Sequence, residues 1–528
     1  MAPSTRTQAS LLLNPFLLLI CSSVSSAIGQ EARPRPLLRS ATANGGDQPS
    51  SPLLSWLPAK PTCSWSGIRC DAAGHVAEIS LPGAGLHGML GALNFATFPA
   101  LTKLNLTSNN ITGAIPANVT SLMYLDLSGN TLPAMVRGMR YLNLSSNRLR
   151  GPMPRWLSDM REMRGFNVSN NKLTGAIHPD LFTNWPEITS FHAQTNSLAG
   201  GIPPDISNAT KLQSLLLYNN RLYGQIPVEV GRLTNLRFLC FALNFLSGTI
   251  PNSVGNMTRL IFLGFFSNNL IGKMPQGITN LTKLQILDLS SNQLEGEVPA
   301  TISSLQSLQY LNLCNNKLSG MIPNLNTRKL LAISLAKNYF TGGFPMALCQ
   351  QASLEILDLS NNQLHGELPR CLWDLQGLLF MDLSNNTFSG IVKMSTDSDL
   401  SLRSVQLANN NLMGEFPLVF KRCRRLTILD LGENKFSEFG LPLKVRYPIL
   451  HYVLSYTYNL QVKVKWKRQY HIFEGSIALM TGIDLSSNYL SGDIPPELTN
   501  LEGLRFLNLS RNRLSGGIPK DIEYSGVP

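Results

Sequence analysis

The chain has 528 residues, of which 43% are hydrophobic and only 14% charged, with a net charge of +12. That apolar content excludes a disordered chain, and 41 glycines with 32 prolines are too few and too irregular for collagen. The positive balance rests on few charges of either sign, which fits a secreted surface rich in Asn, Ser and Thr and not a nucleic-acid-binding domain.

Residues 11–20 (LLLNPFLLLI) follow Arg6 and precede small residues that end at Ala27. This reads as a signal peptide over 1–27, too short to cross a bilayer and interrupted by Asn14 and Pro15. No later stretch carries 18 apolar residues in a row, so the mature chain is expected to be soluble. Secretion implies an oxidising compartment. Cys63 and Cys70, in CSWSGIRC, are then expected to staple a small loop, because their spacing does not suit zinc. Cys349 and Cys371, nearly one repeat apart, are a second candidate pair, and Cys240, Cys314 and Cys423 have no evident partner.

The phrase LxxLxLxxNxLxGxIP recurs along most of the chain. Its Asn falls at 109, 130, 147, 171, 196, 220, 244, 268, 292, 316, 338, 362, 386, 410, 434, 488 and 512, mostly in steps of 24 residues. Residues 76–88 form a degenerate first unit with Ala84 in the Asn slot. Each repeat supplies one short strand, such as LDLSSN at 287–292, with Leu287 and Leu289 inward and Asp288 and Ser290 outward. One repeat cannot bury its apolar side alone, whereas a stack makes a continuous core. The expected fold is an α/β solenoid: a curved superhelix of about 18 rungs with a parallel sheet on its concave face, an arc of roughly 80 Å. The Gly-x-Ile-Pro segment is expected to turn the chain along a second side.

With those repeats in place, LLSWLPAKPTCSWSGIRCD (53–71) resembles the amino-terminal cap of plant extracellular leucine-rich-repeat receptors, Cys63, Trp65, Gly67 and Cys70 matching its C-x-W-x-G-[IV]-x-C pattern. The resemblance covers about residues 52–519 and is to kinase-less receptor-like proteins, within a family that also includes receptor kinases and secreted inhibitors of wall-degrading enzymes. The expected division is a signal peptide at 1–27, a cap at 28–75, repeats at 76–438, an insert at 439–478 and further repeats at 479–528. The short step from Asn130 to Asn147 predicts a shortened rung with a local kink.

From Asn434 to Asn488 the rhythm breaks. The insert holds HYVLSYTYNLQVKVKWKRQYHIF, whose alternation around Val462, Val464 and Trp466 predicts a strand or hairpin. Lys463, Lys465, Lys467 and Arg468 make it basic, and with Trp466 they are the residues expected to contact a co-receptor, since the resemblance implies that such islands help bind ligand or co-receptor. After it the chain ends at IPKDIEYSGVP with no capping cysteine pair or membrane helix, so the expectation is either a truncated product or an end that meets a partner surface.

On the outward strand positions of rungs 188–268, His192, Tyr218, Phe238, Phe262 and Phe266 are expected to form an exposed aromatic patch and are the candidate ligand-binding residues. Sequons occur at Asn105, Asn110, Asn118, Asn143, Asn167, Asn208, Asn256, Asn280, Asn385 and Asn508. Glycans on Asn105, Asn143 and Asn167 would cover the early rungs, while those on Asn208, Asn256 and Asn280 would sit on return loops and leave the patch bare. Asp358 and Asp382 share one outward position on adjacent rungs, but an open face lacks a water-excluding cleft, so no catalysis is expected. No metal-ligand spacing, cofactor motif or kinase loop is present.

The expected function is recognition at the plant cell surface or in the apoplast. The resemblance implies a peptide, glycan or microbial protein ligand and signalling through a partner receptor kinase, in defence or development. The alternatives are a secreted inhibitor of a wall-degrading hydrolase such as a polygalacturonase, or a truncated decoy receptor.

Overall fold

The computed structural model describes residues 61–90, 98–112, 124–127, 130, 139–327, 329–393, 399–417, 419–420, 423, 425–438, 461–466, 469–474, 482–496, 498, 504 and 506–520. The signal segment 1–27 and Asn118 lie outside the described residues. The chain divides into two compact units, one ending at Thr341 and the other beginning at Gly342. Both are leucine-rich-repeat solenoids.

In the amino-terminal unit, Ile68–Cys70 pairs antiparallel with Val76–Ser80. Parallel three-residue strands follow at Lys103–Asn105, Tyr124–Asp126, Tyr141–Asn143, Gly165–Asn167, Ser190–His192, Ser214–Leu216, Phe238–Cys240, Phe262–Gly264, Ile286–Asp288, Tyr310–Asn312 and Ala332–Ser334. Each is in direct register with the next. In the carboxy-terminal unit the same ladder runs through Ile356–Asp358, Phe380–Asp382, Ser404–Gln406, Ile428–Asp430, Gly482–Asp484 and Phe506–Asn508. Leu287 and Leu289 are fully buried while Asp288 faces outward and is half-buried, so the period-two pattern sorts the core from the strand face. Removing such a leucine to alanine costs about 2–5 kcal/mol. Phenylalanine replaces leucine in some core slots, and Phe241 and Phe265 stack there at 5.5 Å.

The repeated Asn holds neighbouring rungs together. Asn268 Nδ2 donates to Phe265 O in its own rung and to Phe241 O in the preceding one, both at 3.0 Å. Its Oδ1 accepts from Leu246 N at 3.0 Å. Among the described residues, the one just before each motif Asn is left-handed whatever its type: φ is 56° at Thr195 and at Leu243, and 54° at Ser267. For a non-glycine residue that costs about 1–2 kcal/mol. The conformation turns the Leu243 N–H onto Phe266 O of the next rung at 2.9 Å, so the strained residue itself extends the ladder.

Past the Asn, the chain forms a second parallel sheet, which includes Arg221–Gln225, Phe245–Thr249, Asn269–Lys273, Gln293–Gly296 and Lys317–Met321. The motif Gly is needed here: Gly272 has φ +75° and a Cβ on it would lie 2.9 Å from Thr249 Cγ2. The proline then precedes a single 3-10 turn, as Pro251 does Asn252–Asn256 and Pro275 does Gln276–Asn280. Its fixed φ suits entry to the turn.

The irregular places follow the same logic. In the degenerate first rung Ala84 is buried, and Asn109 from the next rung bonds Leu81 O at 2.8 Å. In the shortened rung Tyr124 still pairs with Tyr141, so the missing residues come out of the return segment and not the strand. Cys63 is bonded to Cys70, and Cys349 to Cys371. Ile428–Asp430 pairs directly with Gly482–Asp484, so the insert leaves the ladder uninterrupted. Within the insert, Gln461–Trp466 and Gln469–Glu474 form an antiparallel two-stranded ladder.

Candidate ligand-binding face

Strand register converts the repeat into columns on the outward face of the amino-terminal unit. One column runs Ser190, Ser214, Phe238, Phe262, Ile286 and Tyr310. The next runs Asn143, Asn167, His192, Leu216, Cys240, Gly264 and Asp288. Gln194, Tyr218 and Phe266 stand two residues further along their rungs. The strands therefore bring the five predicted aromatic and histidine residues to one face.

Their exposure differs from the sequence expectation. Phe238, Phe266 and His192 are half-buried, but Tyr218 is only 6% exposed and Phe262 only 5%, so the patch is not a row of open rings. The reason for Phe262 lies in its own strand. A Cβ on Gly264 would meet Phe262 Cε1 at 2.8 Å and Cys240 Sγ at 3.2 Å, so the ring lies down along the strand over the glycine. Phe238 instead carries the Arg237 guanidinium 5.7 Å from its ring centroid.

Two polar groups stand at the edge of this apolar area. His192 Nε2 and Ser214 Oγ are 2.8 Å apart across adjacent strands. Burial lowers the His192 pKa to about 4, so at neutral pH the ring is an uncharged hydrogen-bonding group. Gln194 is 6% exposed and its Oε1 is buried with no hydrogen-bond donor. An unsatisfied buried acceptor is costly unless a donor arrives. Nothing in the repeat pattern signals that the Gln194 amide is left half-satisfied.

The sequon residues fall in two places. Asn105, Asn143 and Asn167 occupy the strand column that continues to His192. Their Oδ1 atoms accept from main-chain N–H groups two residues on, at 3.0, 3.1 and 3.0 Å. Asn208, Asn256 and Asn280 each end a return turn and are exposed, as is Asn110. Asn385 and Asn508 are half-buried in the carboxy-terminal unit.

In that second unit the equivalent column is acidic: Asp358, Asp382, Gln406, Asp430, Asp484 and then Asn508. Ser360 Oγ donates to Asp358 at 2.8 Å and Ser384 Oγ to Asp382 at 2.6 Å, so each of the two aspartates noted in the sequence is tied to its own rung. Among the described residues no group of three metal-ligating side chains occurs. Lys463, Lys465 and Trp466 lie on the first strand of the insert hairpin, and Lys467 and Arg468 lie outside the described residues.

Known proteins share the repeat and the fold. The leucine rich repeat family matches residues 265–318, and a second description of the same repeat matches 100–122, 138–160, 353–375, 480–501 and 503–525. The Arabidopsis thaliana leucine-rich repeat receptor-like serine/threonine-protein kinase RGI4 is 40% identical over 84 residues, 15% of this chain and 8% of that kinase. Receptor-like protein 3 of Arabidopsis thaliana is 32% identical over 110 residues, 20% of this chain and 14% of that protein. The chain thus matches a small part of the length of these relatives. Among solved structures, the Arabidopsis receptor kinase HAESA in complex with the peptide hormone IDA and the co-receptor SERK1 has a TM-score of 0.72 at 27% identity, covering 93% of this chain and 88% of that one. PEPR1 with AtPEP1 has a TM-score of 0.64 at 27% identity, covering 93% and 76%. No helix among the described residues is long and apolar enough to cross a membrane. The chain is a leucine-rich-repeat protein whose sequence resembles plant receptor-like proteins and receptor kinases and whose fold is that of a plant receptor ectodomain.

Proposed function

We propose that this chain is the recognition part of a plant cell-surface or apoplastic receptor that binds an extended peptide on its amino-terminal strand face and acts through a partner receptor kinase. The observation that carries this reading is that the half-buried rings of Phe238 and Phe266 stand on the same strand face as the buried, donor-less Gln194 Oε1. Apolar rings offer contact area, and a peptide N–H is the donor that Gln194 lacks. The likeness to a receptor kinase solved with a peptide hormone supports a peptide over a glycan. A co-receptor role for the insert hairpin belongs to the same proposal, as do secretion directed by residues 1–27 and sugars on the ten sequons.

The test is a binding screen of the secreted chain against a panel of synthetic linear peptides of 10–20 residues, followed by the Phe238→Asp and Phe266→Asp double variant. Peptides that bind the parent are expected to lose affinity at least a hundredfold in the variant, with melting temperature unchanged. Equal affinity would sink the assignment to this face.

A further inference from the structure

The carboxy-terminal unit has a second polar arrangement that the aromatic face does not use. In most acidic rungs a serine two residues after the aspartate donates its hydroxyl back, as Ser290 does to Asp288 and Ser384 to Asp382, both at 2.6 Å. The Asp430 rung has Gly432 in that slot, and Asp430 receives only the Gly432 N–H at 3.1 Å. A Cβ on Gly432 would lie 3.2 Å from Asp484 Oδ1, 3.3 Å from Asp430 Oδ1 and 3.4 Å from Ser486 Oγ. Both carboxylates therefore lean over the glycine from adjacent strands. Asp484 is 5% exposed and also accepts from Ser486 N at 2.8 Å and Asn508 Nδ2 at 2.9 Å.

Among the described residues no lysine, arginine or histidine forms an ion pair with either carboxylate. Burial and the neighbouring charge of Asp484 push Asp430 up to about 8. On the other side, in direct register with Asp430, Gln406 is 3% exposed and its Nε2 is buried without an acceptor. Two clustered carboxyls and one orphaned amide donor ask for different partners. A cation would draw the proton off Asp430 and pair with both carboxylates, and the amide donor needs a carbonyl oxygen. Two carboxylates fall short of the six to eight oxygens that calcium takes. One lysine or arginine residue in an extended chain presents both a cation and a main-chain carbonyl.

We propose that Asp430, Asp484 and Gln406 form a subsite for a lysine or arginine residue of a peptide ligand, its cationic group between the two carboxylates and its carbonyl on the Gln406 amide. This rests on the peptide-receptor reading and narrows it to basic peptides.

The test uses N-acetylated hexa-arginine and hexa-lysine as probes and hexa-glutamine as the neutral control, titrated calorimetrically into the secreted full chain near physiological salt. Both cationic probes are expected to bind and the neutral one not. The isosteric Asp430→Asn and Asp484→Asn double variant, checked for an unaltered melt, should bind the cationic probes at least tenfold more weakly. Gln406→Leu should weaken both severalfold, and Glu187→Gln, in the other unit, should leave them unchanged. Equal affinity of the parent and the double variant would overturn the subsite. A hexa-arginine affinity that survives Glu187→Gln and falls in the double variant stands whether or not any peptide binds the aromatic face, so the two assignments fail separately. A matching loss in Glu187→Gln would show that the probe does not report this subsite and would overturn it too.

Discussion

Phe436 N donates to Asn488 Oδ1 at 3.0 Å across 52 residues of chain, the same bond that joins Leu412 N to Asn434 across 22. Asn488 Nδ2 also reaches back to Leu431 O at 3.0 Å. This side chain thus welds the rungs on either side of the insert. Asn488→Ala leaves the Phe436 N–H and the Leu431 carbonyl buried without this partner, at a cost of about 2–4 kcal/mol. Urea unfolding should show that loss, while deletion of 439–478 with a short Gly-Ser linker should retain a cooperative transition. A deletion that abolishes cooperative unfolding would mean the insert is part of the core.

Gly264 makes room for the Phe262 ring. In Gly264→Ala the new methyl cannot coexist with Cε1 at 2.8 Å, so the ring must swing away from the strand. The expected stability loss is about 1–3 kcal/mol, as for other overpacked sites. Phe262 then becomes exposed, and binding of a hydrophobic dye should rise relative to the parent. A parent-like melt and dye signal would show that the ring is not held by this contact.

Much of the fold was legible because its signal is redundant. Leu287 and Leu289 set the inward face, Asn292 marks the rung end, and the same phrase returns too often to miss. The second sheet was less visible, since in a stretch such as Arg221–Gln225 the polar and glycine positions carry no strand signature without a neighbour to pair with. The left-handed residue before each Asn was invisible, because Thr195, Leu243 and Lys337 share no chemistry and the turn dictates the conformation. Spacing left the bond between Cys349 and Cys371 open, because their return turns approach only once the rungs stack. Column membership at the candidate site was readable from the repeat, but burial was not. The sequence ranks Phe238 and Phe262 alike, and only the glycine at 264 separates them.

His192 carries a pH signature. Its folded pKa is lowered from 6.5 to about 4, so between those values the unfolded chain holds a proton that the folded chain does not. Stability therefore rises with pH through that window, is fully present above about 6.5 and is lost as pH falls toward 4. The contribution is on the order of 2 kcal/mol. Urea midpoints for the parent and His192→Gln should diverge between those pH values, the parent losing more on acidification. Parallel curves would mean that the imidazole stays solvated.

Asp430 should act with the opposite sign. Burial, reinforced by the charge of Asp484, raises its folded pKa from 3.8 to about 8, so in that interval the folded chain holds a proton that the unfolded chain has released. Stability from this group is complete below about 4 and is lost as pH rises through about 8. Asparagine cannot ionise, so Asp430→Asn should be more stable than the parent at pH 7, by on the order of 2 kcal/mol, and nearly equal to it at pH 4. An aspartate whose replacement stabilises the free protein is one whose charge is matched by something that arrives later. Hexa-arginine should accordingly raise the parent melting temperature at pH 7 and leave that of Asp430→Asn nearly unmoved. If the variant melts lower than the parent at both pH values, the Asp430 carboxyl is a structural hydrogen-bonding group already satisfied within its rung.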